Sequence, residues 1–311
     1  MNREPPTEAE SLSDHERRIT ALLESAAYRP ADEDVDYLDG DDTRGIRLLL
    51  DYQKPETLLR EQGIEHTIVV FGGTRIREPA AAQRQVDELR QQLNGDPTNQ
   101  RLQQAVKQAT RLLKKSHYYD VARELGRLVG EFGRTGKTDI GVSDTQSYVT
   151  KKTDNSITLM TGGGPGIMEA ANRGAFGAGA VNIGLNISLP NEQVPNAYLT
   201  PGLCFNFHYF ATRKLHFLLR AKALVAFPGG YGTLDELFDT LTLIQTRKIA
   251  PLPVVLVGKS FWQQALNIPF LVDEGVINSA DAELFWYAET ADEIWQGILD
   301  WHQQQSSPLA E

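Results

Sequence analysis

Three times in this chain an apolar run of strand length ends in glycines that open a helical pattern, and this repetition restricts the fold more than any other feature. His66-Thr67-Ile68-Val69-Val70-Phe71 runs into Gly72-Gly73-Thr74-Arg75, and Ile157-Thr158-Leu159-Met160 runs into Thr161-Gly162-Gly163-Gly164-Pro165-Gly166. Ala223-Leu224-Val225-Ala226-Phe227 runs into Pro228-Gly229-Gly230-Tyr231-Gly232-Thr233, after which Leu237, Leu241 and Ile244 recur at helical spacing. Further strand-length runs at 181–187, 203–207, 253–257 and near Leu284-Phe285-Trp286 alternate with helical segments. The alternation predicts an α/β fold built on a parallel, doubly wound sheet, with ligands at the carboxyl ends of its strands, where all three glycine turns lie. Residues 1–64 read as an N-terminal helical extension, with helices expected from Asp14 through Tyr28 and from Thr43 to about Gln62, and 65–311 as the sheet domain.

A glycine-lined strand-to-helix turn lets a ligand approach the backbone, and the first amides of the helix, at its positive dipole end, point at an anion. The stretch 226–236 adds Asp235 and Glu236, which the sequence places in the first turn of the helix. Carboxylates beside an anion hole suggest chemistry as well as binding. The same residues also fit a capping box, with Thr233 as N-cap and Glu236 at N3, and the sequence leaves both readings open. Upstream, Ala211, Leu215, Leu218 and Leu219 form an apolar stripe at about 100° per residue. That stripe predicts a buried face and turns Arg213 towards solvent. A basic pair, Arg213-Lys214, near a helix N-terminus opposes the dipole, so a nearby anion would account for it.

Composition narrows the choice of ligand. A formal charge of −10 over 311 residues argues against a nucleic-acid or membrane-surface binder unless a local basic patch dominates. The lone Cys204 excludes an intramolecular disulfide and a multi-cysteine zinc site, and the six histidines lack ligand spacing, so no metal is expected. The run Asp32 to Asp42 is densely acidic but lacks the register of an EF-hand loop and reads as a solvated loop. No apolar run approaches ~18 residues, which fits a soluble, cytoplasmic protein. A dinucleotide fingerprint fails because Ile167 stands where its third glycine would fall. Residues 94–117 read as an exposed helical insertion and 144–155 as a polar loop.

Taken together, Gly162-Gly163-Gly164-Pro165-Gly166-Ile167-Met168-Glu169, the pair Arg213-Lys214 and Pro228-Gly229-Gly230-Tyr231-Gly232-Thr233-Leu234-Asp235-Glu236 resemble the three motif blocks of the Lonely Guy (LOG) family, in the family's order. The similarity covers about residues 65 to 300. It implies a Rossmann-like, nucleotide-binding hydrolase that breaks the N-glycosidic bond of a nucleoside 5′-monophosphate, of AMP or cytokinin riboside type, releasing base and ribose 5-phosphate. By this resemblance the catalytic pair falls on Arg213 and Glu236. Substrate binding falls on Gly163, Gly164, Met168, Glu192, Lys214, Gly229, Gly230, Tyr231, Gly232, Thr233 and Thr242. No cofactor is implied, and the expected partners are the nucleotide and a second copy in a homodimer, with neither nucleic acid nor membrane. Many relatives carry a possible lysine decarboxylase label, but nothing in this chain singles out a Schiff-base lysine or a pyridoxal phosphate site. The N-terminal 64 residues, the 94–117 insertion and Gly73-Thr74-Arg75 depart from short family members and match the longer bacterial type. A nucleotide-binding regulator without turnover remains the alternative from another class.

Overall fold

The strand runs are apolar at successive positions because both faces of their sheet are covered, as parallel sheets require. A computed structural model describes residues 8–134, 157–188, 194–307 and Leu309. The polar loop expected over 144–155 lies outside the described residues. The chain divides into two compact units, Met1–Gln53 and Lys54–Glu311.

In the first unit, α1 (Glu8–Leu23) is followed by a separate 3₁₀ turn at Ala26–Tyr28, by α2 (Val35–Asp39) and by the beginning of α3 (Arg44–Glu61). The single helix expected from Asp14 through Tyr28 is thus two elements, because the Ser25 side chain accepts from the Ala27 N–H and starts a new turn. Thr43 is buried, with its hydroxyl within hydrogen-bond distance of the carbonyl oxygens of Tyr37, Leu38 and Gly40 at 3.0, 2.7 and 2.9 Å.

In the second unit the chain continues through β1 (His66–Phe71), α4 (Pro79–Gly95), α5 (Gln100–Leu113), α6 (His117–Arg134), β2 (Ile157–Thr161), α7 (Ile167–Gly177), β3 (Asn182–Ile187) and β4 (Cys204–Phe207). It then returns through α8 (Phe210–Leu219), β5 (Ala221–Ala226), α9 (Tyr231–Gln245), β6 (Val254–Val257), α10 (Lys259–Ala265), α11 (Ile268–Asp273), β7 (Trp286–Ala288) and α12 (Ala291–Gln304). Between β6 and β7 the helical segment is broken in two, because Asn267 caps the second helix and Pro269 has no N–H to carry the first one through.

Among the described residues, seven strands form one parallel sheet in the order β4-β3-β2-β1-β5-β6-β7. The α/β doubly wound, Rossmann-like fold is therefore present. Its strand order reverses between β1 and β5, and a crevice opens at such a switch point. Side-chain alternation splits the core into two. Ile68, Val70, Ile157 and Leu159 pack with α6, α7 and α12, whereas Val69, Phe71 and Met160 pack with Phe217 of α8, Leu237 of α9 and Trp262 of α10. Among the described residues no helix is long and apolar enough to cross a membrane.

The helix layer beside β2 is held close by glycines at the α6–α7 contact. A Cβ on Gly126 would stand 2.0 Å from the Ala171 carbonyl oxygen, and one on Gly174 would stand 1.9 Å from that of Arg123. Gly126→Ala or Gly174→Ala should therefore force the helices apart and lower the unfolding free energy by about 2 kcal/mol, more than the ~1 kcal/mol that alanine gains in helix propensity. Gly177→Ala, with open space around its Cβ, should be neutral or stabilising in the same urea titration.

Candidate functional site

The glycine turns after β1, β2 and β5 lock onto one another at the strand-order switch. The Gly73 N–H donates to the Pro228 carbonyl oxygen at 2.9 Å, and the Ile167 N–H donates to the Gly73 carbonyl oxygen at 3.3 Å. Gly166 has φ +75°, and a Cβ there would stand 2.4 Å from that same Gly73 oxygen, so the turns can meet this closely only around glycine. The bond to Gly73 occupies the first amide of α7. Helix α9 differs: its N-cap is Gly230, without a side-chain cap, and no acceptor within the described residues is assigned to the N–H groups of Tyr231, Gly232 and Thr233. Of the two glycine turns that open helices here, the one before α9 is the available anion hole.

The N-cap at Gly230 corrects two expectations. Thr233 is the third residue of α9 instead of its cap, so Thr233 and Glu236 do not make a capping box. Asp235 and Glu236 accordingly lie in the second turn, because the helix begins at Tyr231 directly after the paired glycines.

A cleft of about 320 Å³ opens above the switch, lined by the glycine turns and by Met168, Asn186, Phe210, Arg213, Thr233 and Glu236 among others. Arg213 Nη2 lies 3.2 Å from Glu236 Oε1, with the two side chains only 12% and 7% exposed. The guanidinium stands over the rings of Phe210 and Phe217, at 5.5 and 5.2 Å, and its buried Nε–H has no partner within the described residues. A buried unpaired donor is costly, and here it is carried by a cleft-lining side chain. Burial pushes the Glu236 carboxyl up to about 7; Arg213 pulls it down and Asp235 adds to the rise. The same burial lowers Arg213. Removing both groups from water thus outweighs their attraction.

The neighbouring pair, Lys214 Nζ to Asp235 Oδ1 at 2.6 Å, stands outside the cleft. One residue of helix is a turn of about 100°, which separates the two adjacent carboxylates into an inward and an outward group. The orientation of α8 is the reverse of the expected one. Thr212, His216 and Phe217 are buried, whereas Ala211, Leu215 and Leu219 are exposed and Leu218 is half-buried. The inward face is set by Phe217 packing edge-on against Phe71 at 4.7 Å and by the pairing of Arg213 with Glu236, both across the sheet's own contacts.

Of the residues that the motif resemblance names, Met168, Arg213, Gly230, Tyr231, Gly232, Thr233 and Glu236 come together in the cleft. Gly163 and Gly164 do not line it; their carbonyl oxygens accept from Asn196, from its backbone N–H at 2.9 Å and its Nδ2 at 3.1 Å. Gly229 lies beneath Thr233, whose Oγ1 would be 2.1 Å from a Cβ there. Thr242 is exposed further along α9, and Glu192 lies outside the described residues. Asn186 and Phe210 are cleft residues that the motifs did not single out. A polar residue in the otherwise apolar end of a buried strand was the available signal for Asn186.

Residues 168–298 match the family model described as Possible lysine decarboxylase. The chain is 30% identical over 146 residues to the probable cytokinin riboside 5′-monophosphate phosphoribohydrolase LOGL5 of Oryza sativa subsp. japonica, covering 45% of this chain and 58% of that one. It is 29% identical over 157 residues to the cytokinin riboside 5′-monophosphate phosphoribohydrolase LOG1 of Arabidopsis thaliana, covering 49% and 72%. Over these residues the chain is similar to the LOG family. Against the rice LOG protein the match spans little more than half of the relative's length. Among solved structures, the molybdenum cofactor binding protein from Rippkaea orientalis aligns over 76% of this chain and 96% of its own, with 18% identity and a TM-score of 0.44.

Because the folded carboxyl of Glu236 titrates near 7 and an unfolded one near 4.5, the folded state holds the extra proton between those values, and native stability falls as pH rises through that window. Glu236→Gln removes this titration. Its stability relative to the native chain should improve between pH 5 and pH 8, by up to about 3 kcal/mol. Parallel urea titrations at the two pH values measure it, and a constant difference between the proteins would contradict the buried carboxyl.

Proposed function

We propose that this chain hydrolyses the N-glycosidic bond of a purine nucleoside 5′-monophosphate, of AMP or cytokinin riboside type, to free base and ribose 5-phosphate. The observation that carries the reading is a buried carboxyl, Glu236, held near neutrality beside Arg213 in a cleft whose floor is the uncapped start of α9. The names of the plant relatives, cytokinin riboside 5′-monophosphate phosphoribohydrolases, support the same chemistry.

In this mechanism the amides of Tyr231, Gly232 and Thr233 hold the 5′-phosphate, and binding energy remote from the broken bond positions the ribose. As the C–N bond stretches, positive charge grows on the sugar. The Glu236 carboxylate stabilises that charge and takes a proton from the attacking water; the water oxygen bonds to the anomeric carbon as the base leaves with the electron pair and is protonated. A pKa near the working pH suits a group that must accept a proton and then return it. Arg213, paired with Glu236, uses its remaining donors on ribose or phosphate oxygens.

The deciding experiment is chromatography of purified protein incubated with AMP, in which free adenine appears. Adenosine, which lacks the phosphate, should be cleaved hardly at all, and equal turnover of both would refute the phosphate anchor. Glu236→Gln should lose roughly two or more orders of magnitude in turnover with little change in nucleotide affinity, while Asp235→Asn stays close to native. Nucleotide binding with no base released from any nucleoside monophosphate would instead fit a regulator without turnover.

The reading extends to assembly. Leu215 and Leu219 are 47% and 46% exposed and, with Leu218, Leu243 and Ile249, line an apolar groove between α8 and α9. A second copy of the chain is its proposed occupant, since exposed apolar surface of this kind marks association. Leu215→Glu should shift the protein from dimer to monomer in sedimentation; a native chain already monomeric at working concentration contradicts the assignment.

A further inference from the structure

Arg213 lies against two aromatic rings of its own helix. Positions 210, 213 and 217 share one face of α8, because steps of three and four residues keep to the same side of a helix. The guanidinium carbon is 5.5 Å from the centre of the Phe210 ring and 5.2 Å from that of Phe217. At both distances a cation is drawn to the negative face of a ring. Phe217 is 1% exposed and packs edge-on against Phe71 of β1 at 4.7 Å, so this ring belongs to the core. Phe210 is 49% exposed and lines the cleft, so this one can be replaced without opening the core.

The partner carboxyl does not hold this cation at all times. A group pushed up to about 7 is neutral over part of the ordinary pH range, and in the proposed mechanism it is neutral again once it has taken the proton from water. In either state the guanidinium keeps its charge. Its side chain is 12% exposed, and its Nε–H has no partner within the described residues. A buried cation that has lost its counter-charge is driven towards water. The ring faces attract it whatever the charge on Glu236, and this attraction is stronger for a desolvated cation than for an exposed one.

We infer that Phe210 and Phe217 are positioning residues: they clamp the Arg213 guanidinium in the cleft, so that it keeps its place while Glu236 loses and regains its charge. The inference rests on the hydrolase reading above for the reaction that the clamp serves, and it adds two residues that act through Arg213.

The test follows the Glu236 carboxyl itself, which requires no turnover. The charged groups acting on it are Arg213 and Lys214 of α8 and its own neighbour Asp235, and Tyr231 is a further titratable side chain of the cleft lining. Burial raises this carboxyl and Arg213 lowers it. Phe210→Leu keeps an apolar side chain but removes the ring face. If the ring holds Arg213, the guanidinium drifts from Glu236 in this variant, and the carboxyl should titrate higher by roughly half a pH unit. Carbon NMR of protein labelled at its glutamate carboxyls reads the titration, the signal being assigned by its absence from Glu236→Gln. If Phe210 only covers the cleft, its loss admits water and the carboxyl titrates lower. That result overturns the clamp, and so does an unmoved titration. Phe210→Tyr restores a ring face and should restore the native value. In an Arg213→Met background Phe210→Leu should no longer raise the carboxyl, and a rise that persists there refutes action through Arg213. With AMP, at a pH above both titrations, Phe210→Leu should lower kcat by about fivefold and Phe210→Tyr should recover it; an unchanged kcat overturns the positioning role. A protein that cleaves no nucleoside monophosphate defeats the hydrolase reading, and the titration still decides the clamp.

Discussion

The structure depends on one residue, Gly73, whose backbone bonds through both its N–H and its carbonyl oxygen. Its N–H reaches Pro228 after β5 and its carbonyl oxygen is reached by Ile167 at the start of α7. Those two bonds tie together the turns that leave the three central strands, at the point where the strand order reverses. Met168 of α7 and Thr233 and Glu236 of α9 project from the helices that two of these turns open. The bond to Ile167 occupies the first amide of α7, whereas the start of α9 carries no side-chain cap among the described residues. Two similar glycine turns thus differ in place: one holds the frame and the other opens onto the cleft.

A buried polar relay stiffens the frame from the side of β2 and β3. The Gly163 N–H donates to Thr161 Oγ1, Thr161 Oγ1 donates to Asn172 Oδ1, and the Asn172 oxygen also accepts from Asn196 Nδ2, at 2.9, 2.8 and 2.9 Å. Asn172 then donates to Asn182 at 2.9 Å. Such a network costs desolvation and is tolerable only when its members are satisfied, in return for a single geometry. The geometry it fixes is that of the Gly162–Gly164 turn, and Gly162 leaves room for the Arg213 guanidinium, whose Nη2 would be 3.4 Å from a Cβ there.

The Arg213–Glu236 pair is the expensive element in this setting. Most proteins keep such charges at the surface, and here both partners are moved by burial towards their neutral forms. Stability alone would favour an apolar pair of similar volume. A carboxyl poised near neutrality at the bottom of a cleft is instead suited to moving a proton, and the cost is borne by the two apolar cores that surround the sheet.

The α/β alternation, the parallel sheet and the three glycine turns were legible in the sequence because each is a local pattern: apolar runs of strand length, glycines at their ends and helical spacing beyond. The motif residues Arg213 and Glu236 were legible for the same reason, as short strings at fixed spacing. The orientation of α8 was not. Its apolar stripe, Ala211, Leu215 and Leu219, faces outward, and a helical wheel cannot tell a face meant for the core from one left exposed in a single chain. Nor could the sequence choose between a Thr233 cap and a Gly230 start, since that depends on where the helix begins. Asn186 and Phe210 come from segments more than 20 residues apart and meet only once β3 and α8 are placed at the mouth of the same cleft. Periodicity and turn chemistry act between near neighbours and are written in the chain; the choice of inward face, the burial that shifts Glu236 and the assembly of the cleft are interactions between distant segments, and only the tertiary structure decides them.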